Sequence, residues 1–169
     1  MRIILEEERF NFISSYNKSF IIAFDSEISK LGYSYGGNIG SGSCWGKYMI
    51  VYSKIGVRNK QVAARIYIKE DNIVLRLLLN KIDKHREYIE NSPAFIKDVF
   101  IGEHGKCQHC HNEKNGNCKF RKTYTLDNNY YEKCNGITFE FWIPDLQKLP
   151  DYIGLLKEFY PANRNIIGK

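Results

Sequence analysis

The first part of the chain carries a hydrophobic stripe at helical spacing. Apolar residues recur every four positions from Phe12 to Ile28, and this interval places them on one face of an α-helix. Ser14 or Ser15 is suited to begin the main helical segment, because a serine hydroxyl can accept a hydrogen bond from an N–H group of the first turn. Gly32 is suited to end it. We therefore expect a long N-terminal helix whose aromatic stripe packs into the core.

Alternating hydrophobic residues follow this helix and predict three strands in series. The strands cover positions 45–52, 61–69 and 72–80, and the short links between them are typical of an antiparallel meander. The glycine-rich segment 33–43 is expected to be a connecting loop, because a phosphate-binding loop requires a preceding strand and a following helix. Cys44 is expected to be a small buried side chain.

The second half of the chain predicts further helices and one more strand. A helix, a turn and a second helix are expected at 81–100, with Pro93 in the first turn of the second helix. A strand is expected from Ile137 and an amphipathic helix from Asp145. The pattern predicts one α+β domain over residues 1–169, in which the long N-terminal helix and the C-terminal helix pack on an antiparallel sheet.

Four of the five cysteines lie in the polar segment 102–136. Cys107 and Cys110 form a C-x-x-C pair, and Cys118 and Cys134 follow on separate pieces of chain. Four thiolates can surround one zinc ion tetrahedrally. A polar loop of this kind needs such a cross-link, because it buries too little apolar surface to order itself. We therefore predict a structural Zn²⁺ site that joins this loop insertion to the sheet.

Other ligand sets and other chemistries remain open at this site. His104, His109 or His111 is able to replace one cysteine ligand. An iron–sulfur cluster or a redox-active pair of Cys107 and Cys110 would use the same thiols. A closed site with four protein ligands leaves no position for a water molecule, so the spacing argues against a metallohydrolase.

Composition and charge narrow the class of protein. Hydrophobic residues make up 43% of the chain, which separates it from disordered sequences. No segment approaches the roughly 20 apolar residues of a membrane helix, and the N-terminus lacks the apolar core of a signal peptide. We therefore expect a cytoplasmic protein without a membrane partner. The formal net charge of +6 and the isoelectric point of about 9.0 favour an anionic partner.

Two groups of side chains are candidates for binding that partner, because each combines cations for phosphate with nearby rings that can stack on bases. The first group, on the polar face of the second and third strands, is Arg65, Tyr67, Lys69 and Arg76. The second group, beside the cysteines, is Lys119, Arg121 and Lys122.

The sequence contains no catalytic constellation, and it favours a non-enzymatic zinc-binding module for an anionic partner such as nucleic acid. The alternative is a small-molecule-binding protein or enzyme. In that alternative Arg65, Tyr67 and Arg76 hold a nucleotide or an acidic metabolite in a pocket between the sheet and the Gly36–Gly42 loop. A protein-interaction adaptor is a third interpretation. The oligomeric state stays open.

The order of elements from Phe12 to Tyr160 includes an aromatic segment with Trp45-Gly46-Lys47 and a final strand and helix. This layout resembles that of small bacterial proteins of the YdhG-like α+β fold. The resemblance implies a fold rather than a function. Those families generally lack a four-cysteine insertion, so the segment 102–136 departs from their pattern.

The metal prediction is tested by elemental analysis of the purified protein with thermal melts before and after chelation. We expect about one zinc ion per chain and a large fall in Tm when it is removed, because metal binding and folding are coupled in such loops. Cys107→Ser should lower both the zinc content and Tm, whereas Cys44→Ser, outside the cluster, should keep the zinc. A metal-free protein with an unchanged melt after chelation would contradict the prediction.

Overall fold

The computed structural model describes residues 1–101, 121–133 and 138–161. Helices and antiparallel strands are combined in these ranges, which confirms the α+β class. The chain divides into two compact units. The first comprises Met1–Leu78 and the described residues from Glu140 onwards, and the second comprises residues 79–139. The cysteine-rich insertion, and the zinc site predicted there, lie almost entirely outside the described residues, which include only positions 121–133 of it.

Helices flank the strands along the chain. The described helices are α1 (Arg2–Leu5), α2 (Ser15–Lys30), α3 (Arg86–Glu90), α4 (Ala94–Ile101) and α5 (Leu149–Phe159). The described strands are β1 (Tyr33–Ser34), β2 (Gly40–Ser41), β3 (Tyr48–Lys54), β4 (Val62–Ile68), β5 (Ile73–Leu78), β6 (Lys122–Leu126), β7 (Asn129–Lys133) and β8 (Thr138–Trp142). Within the described ranges no helix has the length and apolar content needed to cross a bilayer.

Helix α2 is the long N-terminal helix that the hydrophobic stripe predicts. It begins after Ser14, whose hydroxyl accepts a hydrogen bond from the Asn17 N–H at 3.2 Å. Gly32 follows its C-terminus with a φ of 82°, a left-handed conformation that glycine adopts without strain. Phe20, Phe24 and Ile28 are fully buried, which confirms the core prediction for this part of the stripe. Tyr16, in the first turn, is 48% exposed, so there the prediction is wrong.

The main sheet has the order β1-β3-β4-β5-β8, and β2 also pairs with β3. Strands β3, β4 and β5 form the antiparallel meander that the alternation predicts. Strand β3 begins later than expected, because Ser43–Trp45 forms a 3₁₀ turn that ends at Gly46. Cys44 lies in this turn and is exposed, so the expectation of a buried side chain is wrong.

Aromatic rings join the helices of the first unit to one face of the main sheet. Phe24 of α2 packs edge-on against Tyr52 of β3, with ring centroids 5.4 Å apart. Tyr152 of α5 packs against Phe141 of β8 at 4.9 Å and against Phe20 of α2 at 6.1 Å. Edge-to-face and tilted pairs at these distances are favourable ring geometries. Both helices pack on the sheet, as the sequence predicts, and they cover the same face of it.

The second unit contains a hairpin that the sequence pattern did not reveal. Strands β6 and β7 pair around Asp127 and Asn128, which both have positive φ, as the central residues of a primed β-turn do. The Asp127 N–H donates to Glu90 Oε1 at 2.7 Å. The buried Tyr124 hydroxyl donates to the Phe100 carbonyl at 2.5 Å, and burial raises the pKa of this hydroxyl well above its ordinary value.

Candidate functional site

The face of the main sheet opposite α2 carries the first predicted group of anion-binding residues. Arg65 on β4 is the direct cross-strand partner of Arg76 on β5. Tyr67 lies two positions along β4 on the same face, because side chains alternate along a strand. Lys69 follows at the end of β4. Ile66 lies between Arg65 and Tyr67 on β4 and is fully buried on the other face of the sheet.

Arg76 is almost closed off from solvent, at 3% exposure, and its guanidinium group contacts two rings. Its guanidinium carbon lies 4.1 Å from the centroid of the Trp45 ring and 5.0 Å from that of Tyr67. Contacts of this kind attract the cation to the electron-rich ring faces. The Glu140 carboxylate forms an ion pair with Arg76 Nη2. Arg76 and Tyr67 therefore lie inside the site, beneath the groups that solvent can reach.

Arg65 has no such carboxylate within the described part of the chain. Its Nη1 donates weakly to the Tyr67 hydroxyl, at 3.4 Å. The Nε atoms of Arg65 and of its cross-strand partner Arg76 are both enclosed and have no hydrogen-bond partner. Like charges placed opposite one another on adjacent strands destabilise a sheet. This face therefore has donors and positive charge that the described side chains do not fully balance.

A tight turn places Trp45 over the guanidinium group of Arg76. The Trp45 N–H donates to the Gly42 carbonyl at 3.1 Å, and the Lys47 N–H donates to the Ile68 carbonyl at 2.8 Å. A Cβ atom at Gly42 would lie 2.2 Å from the Gly46 carbonyl oxygen, so the two backbone segments approach more closely than a side chain allows. The Trp45 side chain covers Arg76 and is still 45% exposed.

A second exposed tryptophan lies on β8, also beside a cation. Lys69 Nζ is 4.4 Å from the centroid of the Trp142 ring, and Trp142 is 53% exposed. Ile143 follows with a φ of 50° and 64% exposure, an uncommon conformation for a β-branched residue. Its N–H donates to the Ile73 carbonyl at 3.1 Å, which ties this segment to β5.

Sequence reasoning placed neither tryptophan in the binding site, although the information was partly present. Trp142 alternates with Phe141 and therefore shares the face of Glu140, opposite the core. The position of Trp45 depends on a backbone contact between Gly42 and Gly46 that hydrophobic periodicity does not encode.

The second predicted group is in the other unit. Arg121 forms an ion pair with Glu132 at 3.2 Å across the β6–β7 hairpin. Lys122 begins β6 and is exposed. Lys119 lies outside the described residues, as do Cys107, Cys110, Cys118 and Cys134 and the three histidines proposed as alternative ligands. Within the described ranges, no three His, Cys, Asp or Glu side chains converge closely enough to hold a metal ion.

A separate polar cluster lies between α2 and β3. Burial raises the pKa of the Asp25 carboxyl above its ordinary value, although the Met1 amino group opposes this rise. Burial and then the charge of Asp25 raise the pKa of the Tyr52 hydroxyl well above its ordinary value. The two groups are close enough to interact, yet neither Asp25 Oδ1 nor the Tyr52 oxygen reaches hydrogen-bond geometry.

Comparison with the models of known protein families found no match. Searches for similar curated proteins and for similar solved structures found none either. The resemblance to the YdhG-like fold therefore stays a prediction.

The turn that carries Trp45 should not tolerate a side chain at Gly42. Gly42→Ala places a Cβ against backbone atoms of Gly46 and Tyr48, and overpacking of this kind costs about 1–3 kcal/mol. We expect a lower free energy of unfolding and altered tryptophan fluorescence as the indole leaves Arg76. Gly40→Ala is the matched control, because no atom lies within 4 Å of its Cβ position. Equal stability of the two variants would contradict the close approach.

The half-buried Asp25 should make stability depend on pH. Because its pKa in the folded protein is raised above 3.8, ionisation weakens the folded state as pH rises from that value through the folded pKa. Asp25→Asn removes this effect, so the variant should be more stable than the parent at pH 7 and equally stable below about pH 3.8. Urea denaturation across this range measures the difference, with Glu70→Gln at an exposed position as control. An advantage of the variant that is independent of pH would contradict the assignment.

Proposed function

We propose that this chain is a non-enzymatic module that binds single-stranded nucleic acid. The strand would lie on the sheet face that carries Trp45 and Trp142. The observation that supports the proposal is the presence of two exposed indole rings, each in contact with a cation. Proteins that bind single strands combine aromatic rings, on which unpaired bases stack, with cations along the phosphate backbone. The net charge of +6 has the sign that this partner requires.

The side chains of this face have different roles in the proposal. Trp45 and Trp142 contact bases, because their rings are exposed. Lys69, whose ammonium group lies over Trp142, contacts a phosphate of the same nucleotide or its neighbour. Arg76 and Tyr67 are buried and support Trp45 from below.

A single strand suits this surface better than a duplex. Bases in a duplex are stacked on each other, and an indole reaches a base face only where the stack is open. The charge excess is also modest for a duplex-binding protein, since duplex binding draws most of its affinity from contacts to many phosphates.

The zinc site belongs to the same proposal as a structural element. Cys107, Cys110, Cys118 and Cys134 would hold the ion, and Lys119, Arg121 and Lys122 would extend the cationic surface beside it. The spacing of the cysteines supports this part. No step of base recognition depends on it.

The proposal is tested by fluorescence anisotropy with a labelled oligothymidylate of about 16 nucleotides, the upper site size of a small single-strand-binding module. We expect binding that weakens between about 50 and 200 mM salt, because counterions are released on association. Trp142→Ala should weaken it by about 5- to 150-fold, the equivalent of about 1–3 kcal/mol for one stacked base.

Two variants make this result specific. Trp142→Phe keeps an aromatic face and should retain more affinity than Trp142→Ala. Ile55→Ala removes a side chain of 61% exposure from the β3–β4 turn, at the opposite end of the sheet, and should bind like the parent. Absence of salt-dependent binding, or equal binding by Trp142→Ala and the parent, would remove the proposal.

A further inference from the structure

The cross-strand pair of Arg65 and Arg76 lacks a full complement of negative charge. Glu140 is the one carboxylate that forms an ion pair with either guanidinium group within the described part of the chain, and it contacts Arg76. The two arginines are directly opposite on β4 and β5, where like charges repel. A bound anion is the simplest species that would neutralise both groups.

The hydrogen-bond donors of the pair are incompletely satisfied. The Nε atoms of Arg65 and Arg76 are each enclosed by protein and have no acceptor. An enclosed donor without an acceptor costs free energy, so such groups normally have a partner. The side chain of Arg76 is only 4% exposed, which makes the missing acceptor more costly there than at the surface.

The groups around the pair suit a small oxyanion. The Tyr67 hydroxyl lies 3.4 Å from Arg65 Nη1 and adds a further hydrogen-bonding group. Trp45 covers Arg76, and Val74, at 4% exposure, adds a buried apolar neighbour on the same face. Charge-assisted hydrogen bonds from arginine are stronger in such surroundings than in water.

We infer that Arg65 and Arg76 form a phosphate-binding site beneath Trp45, separate from the exposed rings that stack on bases. A tetrahedral phosphate offers oxygen atoms in several directions to donors on two adjacent strands, and it carries more charge than a single carboxylate. Arginine forms planar, directional contacts with phosphate oxygens. The ligand is free phosphate, a phosphate monoester or a phosphate of a bound strand. The inference shares a sheet face with the proposed function but does not depend on it.

The site is tested with inorganic phosphate alone. Thermal melts are recorded at increasing phosphate and, at matched ionic strength, with chloride. A ligand that binds only the folded state raises Tm with the logarithm of its concentration above Kd. We expect a rise of several degrees in phosphate beyond that in chloride. If Tm rises no further in phosphate than in chloride, the inference is overturned, and water is then the partner of the two Nε groups.

Variants separate specific binding from the general stabilisation that phosphate gives to proteins. Arg65→Met removes one donor and relieves the like-charge pair, so the variant should fold and lose the phosphate-specific rise. Arg58→Met, at an exposed turn position, is the matched control and should keep it. An equal rise in Arg65→Met and in the parent would overturn the inference.

A double variant tests the site in a second way, in case Arg65→Met fails to fold. Arg76→Met with Glu140→Leu removes the buried ion pair as a unit, a change that is often tolerated because no buried charge is left alone. This double variant should also lose the phosphate-specific rise, and its retention would contradict the site.

Competition identifies the source of the phosphate. A phosphate response that needs Arg65 and persists in saturating oligothymidylate supports a site for a free phosphate or monoester. A phosphate response that needs Arg65 and disappears in saturating oligothymidylate supports a site for a phosphate of the bound strand. Failure of oligothymidylate to bind at all removes the proposed function and leaves this inference to be decided by inorganic phosphate.

Discussion

A guanidinium group that is almost closed off from water must be neutralised and surrounded by favourable partners, and Arg76 imposes this requirement on β5, between β4 and β8. Glu140 meets the charge requirement from β8. The rings of Trp45 and Tyr67 meet the packing requirement from a turn and from β4. Three separate parts of the first unit are therefore positioned by one side chain.

The two faces of the main sheet differ in composition. The face toward α2 and α5 is an apolar and aromatic core, in which Phe24, Tyr52 and Phe141 contribute most of the ring contacts described. The opposite face mixes cations with rings, a composition that hydrophobic packing alone would not select. This composition indicates a functional surface, because functional sites are where proteins depart from the residues that would give the most stable fold.

The elements that follow from local pattern could be predicted, and those that depend on distant partners could not. The stripe of α2, its Ser14 cap and the β3–β5 meander all follow from spacing along short segments. The burial of Arg76 could not be predicted, because an arginine in a strand is usually exposed and its partner is 64 positions away in sequence. The β6–β7 hairpin could not be predicted, because its alternating residues lie within the cysteine-rich segment, whose composition indicates a metal-binding loop.

The place of β8 in the sheet order has a consequence for how the chain reaches its fold. Strands β3, β4 and β5 are joined by short turns and can pair early, whereas β8 follows the second unit in sequence and pairs with β5 across a much longer stretch of chain. Until then β5 is an open edge that presents unpaired backbone groups and a solvated Arg76. An arginine on that strand, still without its carboxylate, is the kind of charge that discourages association with another edge until β8 arrives.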